Sequence, residues 1–287
     1  MFDAEATEYC AATIVSGIVS FSGVTLGTSL SSKAKVRVEG GRESSFELKN
    51  SVPVDGRLVN ECVRAVEPFN KTGKGGLYIE VESEIPPSKG MKSSSSVSLA
   101  VISALLRAYG AEIPESRLLQ LSAVASLNAG VSLTGAYDDA AACHYGGIIF
   151  ADNKKMTVER EMKMGKEYSV VYSIPERSTE KKALPFAELK KNTAAMESFY
   201  GIAKLSLYRE AALANSLLLC RVLNIDPAPI FSSLAGGAVI AGITGTGPAI
   251  FALSDRDELP AVVNALKDYG KTVICRNRGV SADGVVF

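Results

Sequence analysis

Residues 86–96 read Pro-Pro-Ser-Lys-Gly-Met-Lys-Ser-Ser-Ser-Ser, and the apolar run VSLAVISALLRAYG follows at once over residues 97–110. The alternating stretch LYIEVESEI at 77–85 predicts a strand before this loop, and the apolar run predicts a helix after it. The free N–H groups and the dipole at a helix start favour an anion, and Gly90 lets the backbone approach it closely. The stretch therefore predicts a phosphate-binding loop. A serine-capped helix after a proline turn is the plainer interpretation.

Lys89 and Lys92 add positive charge to the same loop, which favours the phosphate interpretation. The loop is not a Walker A motif, because the chain contains no GxxxxGK[ST] sequence. GVSLTGAY at 130–137 has the glycine spacing of that motif but lacks the Lys-Ser/Thr pair that would meet phosphate and Mg²⁺.

A second motif, GAYDDAAACHYGG at 135–147, places Asp138 and Asp139 in a segment that is otherwise almost uncharged. Charge in so apolar a segment is costly unless it is paired or used. One carboxylate could accept a hydroxyl proton during phosphoryl transfer, or an aspartate could cap the helix predicted to follow. The same segment holds the single histidine, His144, which we interpret as a packed helical residue rather than as a general base.

The third motif is GITGTGPAIFAL, in which Gly245, Gly247 and Pro248 form a tight turn between two apolar strands. So bare a backbone can contact a nucleotide or a substrate. An ordinary hairpin tip is the alternative.

The composition excludes several other classes of protein. The 287 residues are 47% hydrophobic and 22% charged, and the 31 basic residues balance the 31 acidic ones, so we expect no nucleic-acid partner. Five scattered cysteines and one histidine exclude a Cys/His zinc site and are typical of a reduced cytosolic protein. Glycines interrupt the long uncharged stretches, and the acidic N-terminus is unlike a signal peptide, so we expect no membrane partner.

In this order, the three motifs resemble those of the GHMP kinase superfamily. Its second motif is usually P-x-x-x-G-L-G-S-S-A, and residues 86–95 occupy that place. Lys92, which stands where the inner glycine would be, and the serines after it are similar to the archaeal-type shikimate kinase branch. The Thr-Gly-Ala-Tyr-Asp-Asp run at 134–139 and Gly-Thr-Gly-Pro-Ala at 245–249 also resemble that branch.

This resemblance implies an α+β fold of two lobes with ATP and the acceptor in the cleft between them. We expect an N-terminal lobe resembling ribosomal protein S5 over residues 1–155 and a ferredoxin-like C-terminal lobe over residues 156–287. The implied reaction is ATP-dependent phosphorylation of the shikimate 3-hydroxyl in cytoplasmic aromatic amino-acid biosynthesis. A homodimer is left open, and the alternatives are a homoserine kinase or a nucleotide-binding sensor without turnover.

The resemblance also assigns roles to residues. Asp139 becomes the catalytic aspartate with Asp138 as second choice, and Lys92 neutralises charge on the transferred group. Mg²⁺ would meet Ser94 and Asn128, the residue eleven positions before Asp139. The predicted ATP-binding residues are Pro86, Pro87, Ser88, Lys89, Gly90, Met91, Lys92, Ser93, Ser94, Ser95 and Ser96. The predicted substrate-binding residues are Gly245, Thr246, Gly247 and Asp139. An arginine should meet the acceptor carboxylate, from the candidates Arg57, Arg64, Arg107, Arg177, Arg209, Arg276 and Arg278.

Overall fold

The structure, a computed structural model, describes residues 3–40, 46–50, 54–71, 75–178 and 183–287. The strands are β1 (Ala4–Val15), β2 (Ser22–Gly40), β3 (Phe46–Asn50), β4 (Gly75–Ser83), β5 (Ile148–Asp152), β6 (Thr157–Met162), β7 (Ser169–Ile174), β8 (Ile240–Ile243), β9 (Ile250–Ser254) and β10 (Lys271–Arg276). The helices are α1 (Gly56–Val66), α2 (Ser93–Ala108), α3 (Glu115–Asn128), α4 (Tyr137–Tyr145), α5 (Phe186–Lys191), α6 (Thr193–Lys204), α7 (Tyr208–Leu223), α8 (Ala228–Ala235) and α9 (Leu259–Leu266).

The strands form two sheets, one in each half of the chain. The first has the order β3-β4-β2-β5-β6 with β1 paired to β2, and its pairs are antiparallel except β3 with β4. The second has the order β10-β7-β9-β8 and is antiparallel throughout. Along the chain, helices lie between β7 and β8 and between β9 and β10, which is the ferredoxin-like arrangement. The predicted α+β fold of two lobes is confirmed.

The chain passes from the first sheet to the second between Met162 and Ser169. The boundary predicted from the sequence lies between residues 155 and 156, in a region where charged residues become frequent. In the structure a short turn joins β5 to β6, and the two strands pair antiparallel with Ile148 opposite Met162. The first sheet therefore continues past the predicted boundary.

Helix α2 is the central element of the N-terminal half. Twelve of its 16 residues are buried, since it packs on β1 and β2 and contacts α1, α3 and α4. A helix that is apolar on all sides is stable only in such surroundings. A second apolar cluster, which includes Ile14, Phe150, Tyr172 and Phe251, fills the space between the two sheets and joins the two lobes.

No helix in the described parts of the chain has the length and apolar character needed to cross a membrane.

Candidate active site

A cleft of about 490 Å³ lies between the two lobes. The N-terminal lobe contributes the end of β1 with the turn after it, the start of α1, the loop before α2 and the turn before α4. The C-terminal lobe contributes the tip between β8 and β9, residues 245–247. The fold thus brings all three sequence motifs to one cavity.

The loop 86–96 enters α2 through a left-handed residue. Lys92 has φ +62° and ψ +24°, and no side chain caps the helix that begins at Ser93. The first N–H groups of an α-helix have no partner within the helix, so those of Ser93 to Ser95 are free of intrahelical bonds. These three residues line the cleft, and the start of α2 therefore presents N–H donors and a dipole there.

The tip at 245–247 packs directly against this loop. Thr244 Oγ1 donates to the carbonyl of Gly90 at 3.0 Å, and the N–H of Ala249 donates to the carbonyl of Lys89 at 3.2 Å. Gly90 has φ +82°, and a Cβ added there would lie 2.1 Å from the Thr244 carbonyl oxygen. A glycine is required at position 90 because the two lobes touch there.

Asp138 and Asp139 lie in the first turn of α4, and they differ in their surroundings. The Asp139 carboxylate accepts from Lys92 Nζ at 2.9 Å, where the Lys92 side chain is 6% exposed. Asp138 is more deeply buried, its N–H donates to Asn153 Oδ1 at 2.8 Å, and Thr25 Oγ1 lies 3.4 Å from both carboxylates. Asp139 is thus the more accessible carboxylate, and it is the one paired with the lysine of the loop.

Burial and the neighbouring Asp139 charge raise the pKa of Asp138 to about 7. Burial opposes the positive charge of Lys92, but the Asp139 and Asp138 carboxylates outweigh it and raise the pKa of Lys92 above its ordinary value. The site therefore keeps Lys92 charged and holds one carboxyl that takes up a proton near neutral pH.

Thr13, at the end of β1, joins the lysine to the tip. Its hydroxyl oxygen accepts from Lys92 Nζ at 2.5 Å and from the N–H of Gly245 at 2.9 Å. Sequence reasoning missed Thr13, together with Thr25 and Asn153. Thr13 and Thr25 are ordinary strand threonines in a β-rich segment, so no local signal distinguishes them.

Nine of the eleven predicted ATP-binding residues line the cleft, and Lys89 and Ser96 do not. Lys89 Nζ donates to the carbonyls of Pro175, Glu176 and Arg177 at 2.6–2.9 Å, so its ammonium ties the loop to the segment after β7. The Ser96 hydroxyl donates to the Glu8 carbonyl at 3.2 Å. Met91 borders the cleft, but its side chain is 1% exposed and packs in the core between the sheets.

Asn128, predicted as a metal ligand, does not line the cleft. It is the exposed last residue of α3, and its amide donates to Glu61 Oε2 at 3.2 Å. Counting eleven residues back from Asp139 crosses the turn before α4 and ends on the outer side of α3. We therefore do not assign a metal to Asn128.

Of the candidate arginines, Arg57 is the one that lines the cleft in the described part of the chain, and it is paired with Asp55 at 2.7 Å. Arg278 instead donates to the carbonyls of Cys143 and His144 at the end of α4, at 2.7 and 3.3 Å. It therefore anchors the helix that carries the two aspartates. A cation at a helix C-terminus is favourable to the helix dipole.

His144 lies at the end of α4 away from the carboxylates, so the interpretation of it as a packed residue agrees with its position. Its Nδ1 is 3.0 Å from Glu8 Oε1 on β1. Burial opposes its positive charge, but the bond to Glu8 outweighs this and raises the pKa of His144.

Comparisons with known proteins show the family to which the chain belongs. The family model described as the GHMP kinases N terminal domain matches residues 57–147. The shikimate kinase of Pyrococcus furiosus is 31% identical over 269 residues, covering 93% of this chain and 97% of that protein. The shikimate kinase of Methanothrix thermoacetophila is 32% identical, covering 94% and 91%.

Solved structures share the fold at much lower identity. Homoserine kinase from Cytophaga hutchinsonii has a TM-score of 0.73 at 16% identity, covering 96% of this chain and 95% of that one. Mevalonate kinase from Methanococcus jannaschii has a TM-score of 0.76 at 14% identity, covering 96% and 98%. With a shared fold, three motifs in one cleft and relatives matched over nearly their whole length, this chain belongs to the shikimate kinase family of the GHMP kinase superfamily.

Proposed function

We propose that this protein transfers the γ-phosphoryl group of ATP to the 3-hydroxyl of shikimate. The observation that carries the proposal is the Lys92–Asp139 pair, held between the N-terminal turns of α2 and α4 and facing the cleft. Phosphoryl transfer needs a group that orients or deprotonates the hydroxyl and positive charge beside the transferred phosphoryl. The pair supplies both within one contact.

We divide the cleft into two ends that suit the two substrates. The first lies beside α1, α2 and α3, which contact one another, and its lining includes the apolar side chains of Val54, Leu58, Val97 and Val131. We assign the nucleobase to this end, since a planar base buries its faces on apolar groups. The acceptor then lies at the other end, between Ser16–Ile18 and the tip at 245–247.

The roles of the chain's own residues follow from this orientation. The N–H groups at the start of α2 hold the phosphates, and Lys92 lies beside the charge that develops on the transferred group. Asp139 accepts the proton of the acceptor hydroxyl. Thr246 and the flanking glycines of the tip position the acceptor ring.

The donor set is compatible with Mg²⁺ bound mainly by nucleotide. The described residues contain no group of three or more His, Cys, Asp and Glu side chains arranged to hold a metal. Magnesium commonly takes one or two protein oxygens, substrate phosphates and water. The half-buried Ser94 hydroxyl and the carboxylates at the start of α4 line the cleft and would hold such an ion. When bound, the ion would neutralise phosphate charge.

The alternatives rest on weaker observations. The sequence identity to the homoserine kinase structure from Cytophaga hutchinsonii is 16%, so that match shows the fold alone. A nucleotide-binding sensor without turnover would not need the Lys92–Asp139 pair, so the presence of this pair favours a kinase. The cytoplasmic location and the homodimer stay predictions.

A coupled ADP-release assay tests the proposal with ATP, Mg²⁺ and shikimate, homoserine, mevalonate or galactose as acceptor. We expect turnover with shikimate and a product identified as 3-phosphoshikimate by its ³¹P and ¹H spectra. Turnover with another acceptor alone would refute the assignment of shikimate. ATP binding without turnover on any acceptor would support the sensor.

A further inference from the structure

We propose that the hydroxyl of Thr13 donates a hydrogen bond to an oxygen of the phosphoryl group during transfer, which makes Thr13 a catalytic residue. This inference rests on the proposed function and adds a donor to it. Thr13 lies near the end of β1 and lines the cleft between the loop that carries Lys92 and the tip that carries Gly245.

The Thr13 hydroxyl oxygen is an acceptor in both of its hydrogen bonds. A hydroxyl oxygen has two lone pairs and one proton. Both groups that touch this oxygen, the Lys92 ammonium at 2.5 Å and the Gly245 N–H at 2.9 Å, can only donate. The two contacts therefore occupy the lone pairs, and neither can receive the proton of Thr13.

The proton of the Thr13 hydroxyl has no acceptor among the residues that the structure describes. Among the hydrogen bonds of the described residues, none has Thr13 Oγ1 as its donor. Thr13 is 2% exposed, and a buried polar hydrogen without an acceptor is costly. Since the residue lines the cleft, the missing acceptor belongs to whatever occupies the cleft.

The Thr13 hydroxyl also lies close to the place where the reacting atoms would meet. Lys92 Nζ contacts both Thr13 Oγ1 and, at 2.9 Å, Asp139 Oδ1. The hydroxyl that attacks phosphorus must lie beside Asp139, so the Thr13 donor is one lysine contact away from the reaction centre. A phosphoryl oxygen is the fitting acceptor, because it is negatively charged and does not need to lose a proton itself.

In the resulting step a bond forms between the acceptor oxygen and phosphorus, while the bond from phosphorus to the bridging oxygen of ADP breaks. ADP leaves with that electron pair, and the acceptor proton passes to Asp139. Thr13 keeps its proton and lowers the energy of the charge spread over the phosphoryl oxygens in the transition state.

The test compares Thr13→Val, which has nearly the same shape without the hydroxyl, with Thr13→Ser, which restores it. Thr28→Val is the matched control, because Thr28 is also a buried strand threonine but does not line the cleft. Its hydroxyl lies 2.9 Å from the Tyr172 hydroxyl. Removing one preorganised donor commonly costs about 10²-fold in kcat. We expect that loss for Thr13→Val, and activity within about five-fold of wild type for Thr13→Ser.

Two further measurements distinguish a hydrogen bond from Thr13 to the phosphoryl group from a purely structural role of Thr13. We expect Thr13→Val to bind ADP as wild type does, but to bind ADP with aluminium fluoride, Mg²⁺ and acceptor about 10²-fold more weakly. The KM for the acceptor and the midpoint of the pH–rate profile should not move. A structural role would move them, since it would shift the tip or the Lys92–Asp139 pair.

The proposal is overturned if Thr13→Val keeps its kcat, if Thr13→Ser is as slow as Thr13→Val, or if the loss appears only in KM or the pH midpoint. Phosphorylation of a different alcohol by the wild type would refute the proposed acceptor alone. The same comparison on that alcohol would then decide the role of Thr13.

Discussion

Lys92 Nζ lies 2.9 Å from Asp139 Oδ1 and joins the first turns of two helices that are far apart in the sequence. Lys92 is the residue that precedes α2, and Asp139 lies in the first turn of α4. Because Lys92 is almost fully buried, its charge is stable only with a carboxylate beside it. In the proposed mechanism, the pair couples the part of the site that meets phosphate to the part that meets the acceptor hydroxyl.

Replacing Asp139 by Asn removes the proposed proton acceptor while keeping the size of the side chain. We expect kcat to fall by about 10³-fold with ADP affinity unchanged, since general base groups contribute in this range. The measurement is steady-state turnover with ADP binding by calorimetry. Asp152→Asn is the control, because Asp152 pairs with Lys155 outside the cleft. Equal turnover of Asp139→Asn and wild type would remove Asp139 from the mechanism.

The raised pKa of Asp138 predicts a stability that falls with increasing pH. The unfolded carboxyl loses its proton near its ordinary pKa of 3.8, whereas the folded one keeps it up to about 7. Between these values the folded state binds more protons, so its free energy of unfolding decreases as pH rises. We expect Asp138→Asn to gain on the order of 2 kcal/mol over wild type at pH 8, and this gain to vanish toward pH 4. Urea unfolding at several pH values measures it, and a pH-independent difference would contradict it.

Gly90→Ala should disrupt the contact between the phosphate loop and the tip. The added methyl would meet the Thr244 carbonyl at 2.1 Å in a left-handed conformation. We expect a loss of about 3 kcal/mol in the free energy of unfolding and a large loss of activity. Gly110→Ala is a matched control with φ +61° and no atom within 4 Å, and it should cost only about 1 kcal/mol. Equal costs would show that the close approach at Gly90 is unimportant.

Lys89→Met distinguishes a lysine that binds phosphate from one that ties the lobes together. Since its three donors meet carbonyls of residues 175–177, we expect a Tm lowered by a few degrees and a KM for ATP within about three-fold of wild type. Lys191→Met, an exposed lysine on α5, is the control for loss of charge. A ten-fold or larger rise in the KM for ATP would restore the phosphate role predicted from the sequence.

The His144–Glu8 contact predicts a second, opposite dependence on pH. Folded His144 keeps its proton to a higher pH than in the unfolded chain, so its contribution is complete below the unfolded pKa of about 6.5 and is lost as pH rises through the folded pKa. We expect wild type to exceed His144→Gln by about 1 kcal/mol at pH 5.5 and by less at pH 9. Chemical unfolding at the two pH values measures this difference. A larger difference at pH 9 would refute the assignment.

Much of the site could be predicted because local chemistry marks it. The loop 86–96 combines glycine, lysines and serines at a helix start, and Asp138 and Asp139 stand out in an uncharged segment. Counting along the chain failed at Asn128, because its side of α3 depends on helix rotation and on the turn that follows. The charge of the loop also led to a predicted phosphate role for Lys89, whose ammonium donates in the structure to carbonyls of residues 175–177, more than eighty positions later.

The sequence by itself determined the three motifs and the elements around them, and the resemblance of those motifs implied the two-lobed α+β architecture. Periodicity, glycine placement and charge are local properties, and each leaves a trace within a few residues. Only the tertiary structure decided which polar groups meet. It set Lys92 on Asp139, closed Gly90 on Thr244 and placed the Thr13 hydroxyl between Lys92 and Gly245. Hydrogen bonds and ion pairs act over a few ångströms in space, so their partners are fixed only when the lobes pack together.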